Sequence, residues 1–221
     1  MLEVFVVSFT TFFATVGPLD AAAIFAGLTA SAGLRQRRTM AVRGTLIATI
    51  ILLCFAFFGN YILSFLGISL AALRIAGGIL LLLIGVDMVF ARSSGGTSTT
   101  AEEENEAAGR NDISVFPLAT PLLAGPGTMG AVILLMSNHE GVYADQAIVI
   151  AALLATMLLT LSLLLLSSQV HRILGVTGMH VIGRVFGVIL TALAIQFVIN
   201  GLEDVGLIAP QAALMQTDVI G

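Results

Sequence analysis

Two short stretches carry the residue types from which a binding site could be built inside a membrane: Gly17-Pro18-Leu19-Asp20 and Gly125-Pro126-Gly127-Thr128. Proline removes a backbone donor and clashes with the preceding turn, so each stretch should interrupt a helix. A half-helix that restarts after such a break has first-turn N–H groups without intrahelical partners, and these carry the positive end of the helix dipole. Two such ends facing one another would hold a carboxylate without any arginine. Glycine lets a ligand approach the backbone closely. The competing reading is a pair of structural kinks whose freed groups are satisfied by Thr15, Thr120 or neighbouring helices.

Five side chains add charge or polarity. Asp20 is the one acid between Val4 and Leu34. A carboxylate within a membrane span is a candidate proton or cation site, but capping the half-helix after Pro18 is the commoner use of such a residue. Arg74 and Arg184 stand near the starts of two apolar runs, where they could act as gates or snorkel to headgroups. Gln196 and Asn200 are four apart and share a helix face, where interhelical hydrogen bonding is the ordinary role. His139, His171 and His180 lack metal-ligand spacing, and the lone Cys54 permits neither a disulfide nor a thiolate cluster. There is no phosphate loop and no nucleophile paired with a base. The sequence therefore gives no sign of an enzyme, a cofactor or a nucleic-acid partner.

The elements that must position these residues are membrane helices. The 221 residues are 58% hydrophobic and 10% charged, with a mean hydropathy of +1.07, far from a soluble domain. The apolar runs have helix length, not the roughly ten-residue alternation of a barrel. Six segments are expected: 2–30, 40–65, 70–91, 115–137, 145–168 and 179–202, with a turn at 171–178. The N-terminus has no basic region of a cleavable signal and reads as a retained first segment. The fourth segment holds three of the five prolines, Pro117, Pro121 and Pro126. The Ser-, Gly- and Glu-rich stretch 93–112 should be a disordered linker, and 203–221 a weakly patterned tail.

All nine basic residues are arginines. Arg35, Arg37, Arg38 and Arg43, then Arg92 and Arg110, then Arg172 fall in alternate loops. This predicts a cytoplasmic side for those loops and both termini outside, in the periplasm.

The halves also resemble each other. Positions 17 and 125, like 66 and 174, lie 108 residues apart, matching Gly17-Pro18 to Gly125-Pro126 and Leu66-Gly67-Ile68-Ser69 to Leu174-Gly175-Val176-Thr177. Two residues further out of register, Arg74-Ile75-Ala76-Gly77 matches Arg184-Val185-Phe186-Gly187. Three spans per half force opposite insertion. The expected fold is thus an all-α membrane protein, six helices in a 3+3 inverted repeat (1–92 and 113–202) with interrupted helices 1 and 4. Such repeats point to a secondary transporter with its site near the midplane. A non-transporting membrane scaffold that recruits a partner through its linker is the second reading.

Leu66-Gly67-Ile68-Ser69 with Leu73-Arg74-Ile75-Ala76-Gly77-Gly78, Pro117-Leu118-Ala119 with Pro121, Ala124-Gly125-Pro126-Gly127-Thr128, and the ending Gln196 to Leu202 resemble the MarC family of bacterial integral membrane proteins. The resemblance covers about 1–202. It implies a bacterial inner-membrane protein. Some members are described as transporters of small neutral amino acids such as glycine and alanine, and the family is grouped with a wider set of amino-acid exporters. The partners expected are the bilayer, a small zwitterionic solute and, as an open possibility, further copies of the chain. Where relatives commonly carry Asn-Pro in the first segment, this chain has Gly17-Pro18, without the amide that would bind a ligand there.

Overall fold

The computed structural model describes residues 1–29, 32–90 and 112–208, without the side chains of 168–177, 179 and 180. The predicted linker, apart from Asp112, with its Arg92 and Arg110, and the tail beyond 208 lie outside the described residues.

Among the described residues every regular element is a helix. The first apolar run is two helices, α1 (Leu2–Val16) and α2 (Pro18–Leu28). Gly17 between them has φ 58° and ψ 57°, the left-handed region that glycine enters without penalty. Its N–H closes α1 on the Phe13 carbonyl at 3.1 Å, and its own carbonyl starts α2 by accepting from Ala21 N–H at 2.9 Å. Pro18 takes the first helical position, where a missing donor costs nothing.

α3 (Leu34–Phe65) is longer than expected. Its 32 residues span about 48 Å, well beyond the roughly 30 Å of hydrocarbon. The arginine-rich stretch before Met40 is therefore helix, not loop. Gly67, at φ 68°, turns the chain into α4 (Leu70–Phe90), and Ser69 Oγ accepts from Ala72 N–H at 3.1 Å at its start.

The proline segment is the least regular part. In α5 (Ser114–Leu123), Phe116 and Thr120 are extended, as residues before proline prefer, and both following X-Pro bonds are cis. Its hydrogen bonds span five residues, Leu118 N–H to the Ile113 carbonyl and Ala124 N–H to the Ala119 carbonyl. After Gly125 the chain bends by 54° into α6 (Pro126–Asn138). α7 (Tyr143–Leu165) and α8 (Ser167–Asp204) complete the bundle.

α8 corrects one expectation. No turn forms at 171–178, because the 38-residue helix runs through it. Glycine lowers helix stability by about 1 kcal/mol but does not end a helix, and this stretch has no proline. Leu174–Thr177, matched in sequence to the Leu66–Ser69 turn, is thus helical where its counterpart turns. Glu203 and Asp204, assigned to the tail, close the same helix.

α4 and α8 pack antiparallel along a seam of small residues. Ideal Cβ atoms built on Gly78, Gly85 and Gly201 would lie 2.7 Å from the Ala194 carbonyl oxygen, 2.9 Å from the Thr191 nitrogen and 3.0 Å from the Ala71 carbonyl oxygen. On both helices the seam positions are seven residues apart: 71, 78 and 85 against 201, 194 and 187. Close backbone approach of this kind holds helices together where lipid removes the hydrophobic drive. Gly85→Leu has no room and should cost about 1–3 kcal/mol or more by overpacking. A lowered thermal midpoint of the purified protein, read by size exclusion after heating, checks this.

The bundle is ordered for lipid. Large apolar side chains such as Phe57, Phe58, Leu83, Leu158 and Val185 are exposed, while Ser8, Thr11, Thr15, Thr128, Thr156 and Thr160 are buried inside. Five of the described helical spans are long and apolar enough to cross a membrane, with α1–α2 as one span, and six if the bent pair α5–α6 is also one.

Candidate functional site

The two breaks touch. Thr128, in the first turn of α6, donates its hydroxyl to the Thr15 carbonyl at 3.0 Å, and both residues are buried. The last carbonyls of α1 have no intrahelical donor, so a first-turn hydroxyl of α6 satisfies one of them. Thr15 turns its own hydroxyl back to the Thr11 carbonyl at 2.9 Å. Gly17, Pro18, Gly125 and Gly127 are buried around this contact, whereas Leu19 is half-buried and Pro126 is exposed. Gly125 is extended, at φ −81° and ψ 168°, and caps α6. Sequence matching had aligned Thr128 with Asp20. In space its partner is Thr15.

Asp20 is not deep. It is exposed in the first turn of α2, whose buried residues are Pro18, Ala21, Ala22 and Phe25. Its carboxylate folds back over the break: an ideal Cβ on Gly17 would lie 3.7 Å from Asp20 Oδ2. The pocket it borders, with Phe13, Leu19, Met88 and Gly183, has room for about one water molecule and does not reach α6. The Phe13 ring packs on Phe186 with centroids 4.2 Å apart. Asp20 therefore faces α4 and α8, away from the Thr15–Thr128 contact.

Arg74 and Gln196 meet at one end of the bundle. Both line an open cleft of about 710 Å³ between α1, α4, α6 and α8, with Glu3, His139, Asn200 and Glu203. Arg74 Nε donates to Asn138 Oδ1 at 2.6 Å, and Arg74 Nη1 pairs with the Asp204 carboxylate. Gln196 Nε2 donates to Asn200 Oδ1 at 2.8 Å. Arg184, matched to Arg74 in sequence, is exposed and borders no part of this cleft. The sequence reading missed Asn138 and Asp204. Each stands at the end of a helix far from Arg74 in the chain, and no local pattern marks either.

The opposite end is tied by other arginines. Arg37 Nη2 donates to Ser167 Oγ at 3.0 Å, and Arg43 lies 3.7 Å from Asp112 with both side chains exposed. The Ser114 hydroxyl and its backbone N–H, the latter 2.9 Å from Asp112 Oδ1, hold the Asp112 carboxyl below its ordinary value, and Arg43 adds to the effect against a small burial penalty. A depressed carboxylate pKa stabilises the fold above the ordinary carboxylate range, and this stability is lost as pH falls through the folded value. Acidification should thus loosen the start of α5 slightly, and Asp112→Asn should remove that part of the pH dependence, as read by the thermal midpoint at pH 7 and pH 3.

A bundle of apolar helices with an internal proline break and buried hydroxyls defines an all-α, multi-pass integral membrane protein, and its environment is a lipid bilayer. The model of the MarC family integral membrane proteins matches residues 2–205, and the chain belongs to that family. It is 40% identical to the UPF0056 membrane protein MJ1677 of Methanocaldococcus jannaschii, over 91% of this chain and 97% of that one. It is 35% identical to the UPF0056 membrane protein YvbG of Bacillus subtilis, over 88% and 92%, and 33% identical to YhcE of Escherichia coli, over 89% and 91%. No solved structure matches the chain.

Proposed function

We propose that this protein is a secondary transporter of small neutral amino acids or similar small solutes, driven by an ion or proton gradient. In this reading it is a 3+3 inverted repeat, with α1–α2 and α5–α6 as its interrupted helices, and it is not an enzyme. The observation that carries the proposal is the buried contact of Thr128 with the Thr15 carbonyl, where the broken helices of the two halves meet inside the bundle. Non-helical backbone at membrane depth is tolerated where it is buried in protein or lines a polar path, and paired breaks of this kind are how transporters form central sites.

The chemistry of such a site follows from the helix ends. The N-termini of α2 and α6 favour a carboxylate and the C-terminal carbonyls of α1 favour an ammonium group. A zwitterion satisfies both. Rocking of one half against the other would exchange the ties at the two ends: Arg74 with Asn138 and Asp204 at one, Arg37 with Ser167 at the other. Asp20 is the coupling candidate; Gln196 is a gate candidate in the cleft of Arg74, and Arg184 is one outside that cleft. The arginine distribution supports insertion in a cell (inner) membrane with both termini outside.

Uptake of labelled glycine and alanine into proteoliposomes, with and without a pH gradient, tests the proposal. Flux above protein-free liposomes is expected, falling as the amino-acid side chain grows. Flux no greater than in empty liposomes under any gradient contradicts it and favours a scaffold role.

A further inference from the structure

The α1 face that enters the Arg74 cleft continues inward as a row of hydroxyls. Glu3, Val4 and Val7 border the cleft. Ser8, Thr11 and Thr15 follow at helical spacing down to the break at Gly17. All three are buried, Ser8 and Thr11 at 0% exposure. Thr11 and Thr15 satisfy themselves on the Val7 and Thr11 carbonyls at 2.8 and 2.9 Å. Ser8 does not. Its Oγ has no hydrogen-bond partner, although the same turn-back geometry is open to a helical serine. A buried hydroxyl without a partner costs free energy that is recovered when water or a polar solute reaches it.

We infer that the Ser8–Thr11–Thr15 face of α1 is the wall of a solute path from the Arg74 cleft to the Gly17 break, closed in this conformation, with the Ser8 hydroxyl as its first binding group. The inference rests on the transporter reading and deepens it. The path selects against net charge. α1 from Val4 to Val16 and α6 from Pro126 to Asn138 carry no charged side chain, and hydroxyls alone do not offset an isolated ion away from water. A compact neutral or zwitterionic solute passes by trading its water for the Ser8 and Thr11 hydroxyls, then for the helix ends at Gly17 and Thr128. The Thr128–Thr15 bond closes the inner end of the path.

Thiol labelling tests this without any need for flux. Cys54 is the only cysteine and is exposed, so Cys54→Ser supplies the background. Ser8→Cys, Thr11→Cys and, as the core control, Leu52→Cys are placed in lipid nanodiscs, where both faces meet water, and exposed to a membrane-impermeant thiol reagent. Leu52 is also at 0% exposure. Ser8→Cys and Thr11→Cys should label roughly tenfold or more faster than Leu52→Cys, because a minor open state dominates the labelling of a buried site. Glycine or alanine should slow that labelling. Labelling after denaturation verifies that each thiol is present, and Thr11→Cys decides the matter if Ser8→Cys does not fold. Rates no faster than Leu52→Cys, or fast rates indifferent to both amino acids, overturn the inference. Flux with an unreactive Ser8→Cys would leave transport standing and remove this route; protected labelling without flux would do the reverse.

Discussion

Gly17→Val should lose solute flux and about 1–2 kcal/mol of stability, the cost of forcing an L-residue into the left-handed region. Gly17 sits at φ 58° and joins two helices through its own N–H and carbonyl. A β-branched side chain at that angle is a true outlier. The alternative is to move the backbone, which would displace the Thr15 carbonyl from Thr128. Space is not the obstacle, since the nearest atom to an added Cβ is 3.7 Å away. Gly17→Asn therefore separates conformation from volume. Asparagine tolerates the left-handed region. Gly17→Asn should keep its thermal midpoint near that of the parent and retain flux. Equal damage from valine and asparagine would count against the backbone explanation.

Arg74→Ala should have the second-largest effect. Arg74 is only 17% exposed as a side chain and links α4 to the last residue of α6 and the last residue of α8. Its removal leaves Asn138 and Asp204 without their donor. Hydrogen bonds to charged groups contribute about 1.5–3 kcal/mol, and the partial exposure of Asp204 places this pair toward the lower end. The lowered thermal midpoint should be accompanied by faster labelling of Ser8→Cys, because the cleft above that residue loses its tie. The charge-swapped double variant Arg74→Asp with Asp204→Arg should recover part of the stability. Arg74→Ala with an unchanged midpoint would show the ties at this end to be incidental.

Hydropathy made the helical membrane fold legible, because continuous apolar runs of span length admit few other readings. Proline and glycine placement marks Gly17 and Gly125, which lie at helix boundaries, for a local reason: each removes or relaxes a specific backbone constraint. What failed depended on direction around a helix or on contacts distant in the chain. The position of Asp20 along the first span does not tell which way it faces: the inward face of α2 is Pro18, Ala21, Ala22 and Phe25, and Asp20 points elsewhere. A turn is expected at 171–178, part of which matches the turn at 66–69 in sequence, but Gly67 takes a positive φ and the later stretch stays helical. The partners of Arg74 and the contact between Thr15 and Thr128 join segments 64, 130 and 113 residues apart. No periodicity encodes such pairs. Ser8 gave no signal at all, since a serine in an apolar helix is ordinary until its hydroxyl is found without a partner.

Counterflow exchange tests the transporter reading most directly, because it needs no knowledge of the coupling ion. Proteoliposomes loaded with unlabelled alanine are diluted into a trace of labelled glycine, with no imposed gradient of pH or salt. A transient accumulation of label above equilibrium, absent with Gly17→Val and retained with Gly17→Asn, is the predicted result. A flat trace with the parent protein, indistinguishable from empty liposomes for glycine and for alanine, would contradict it.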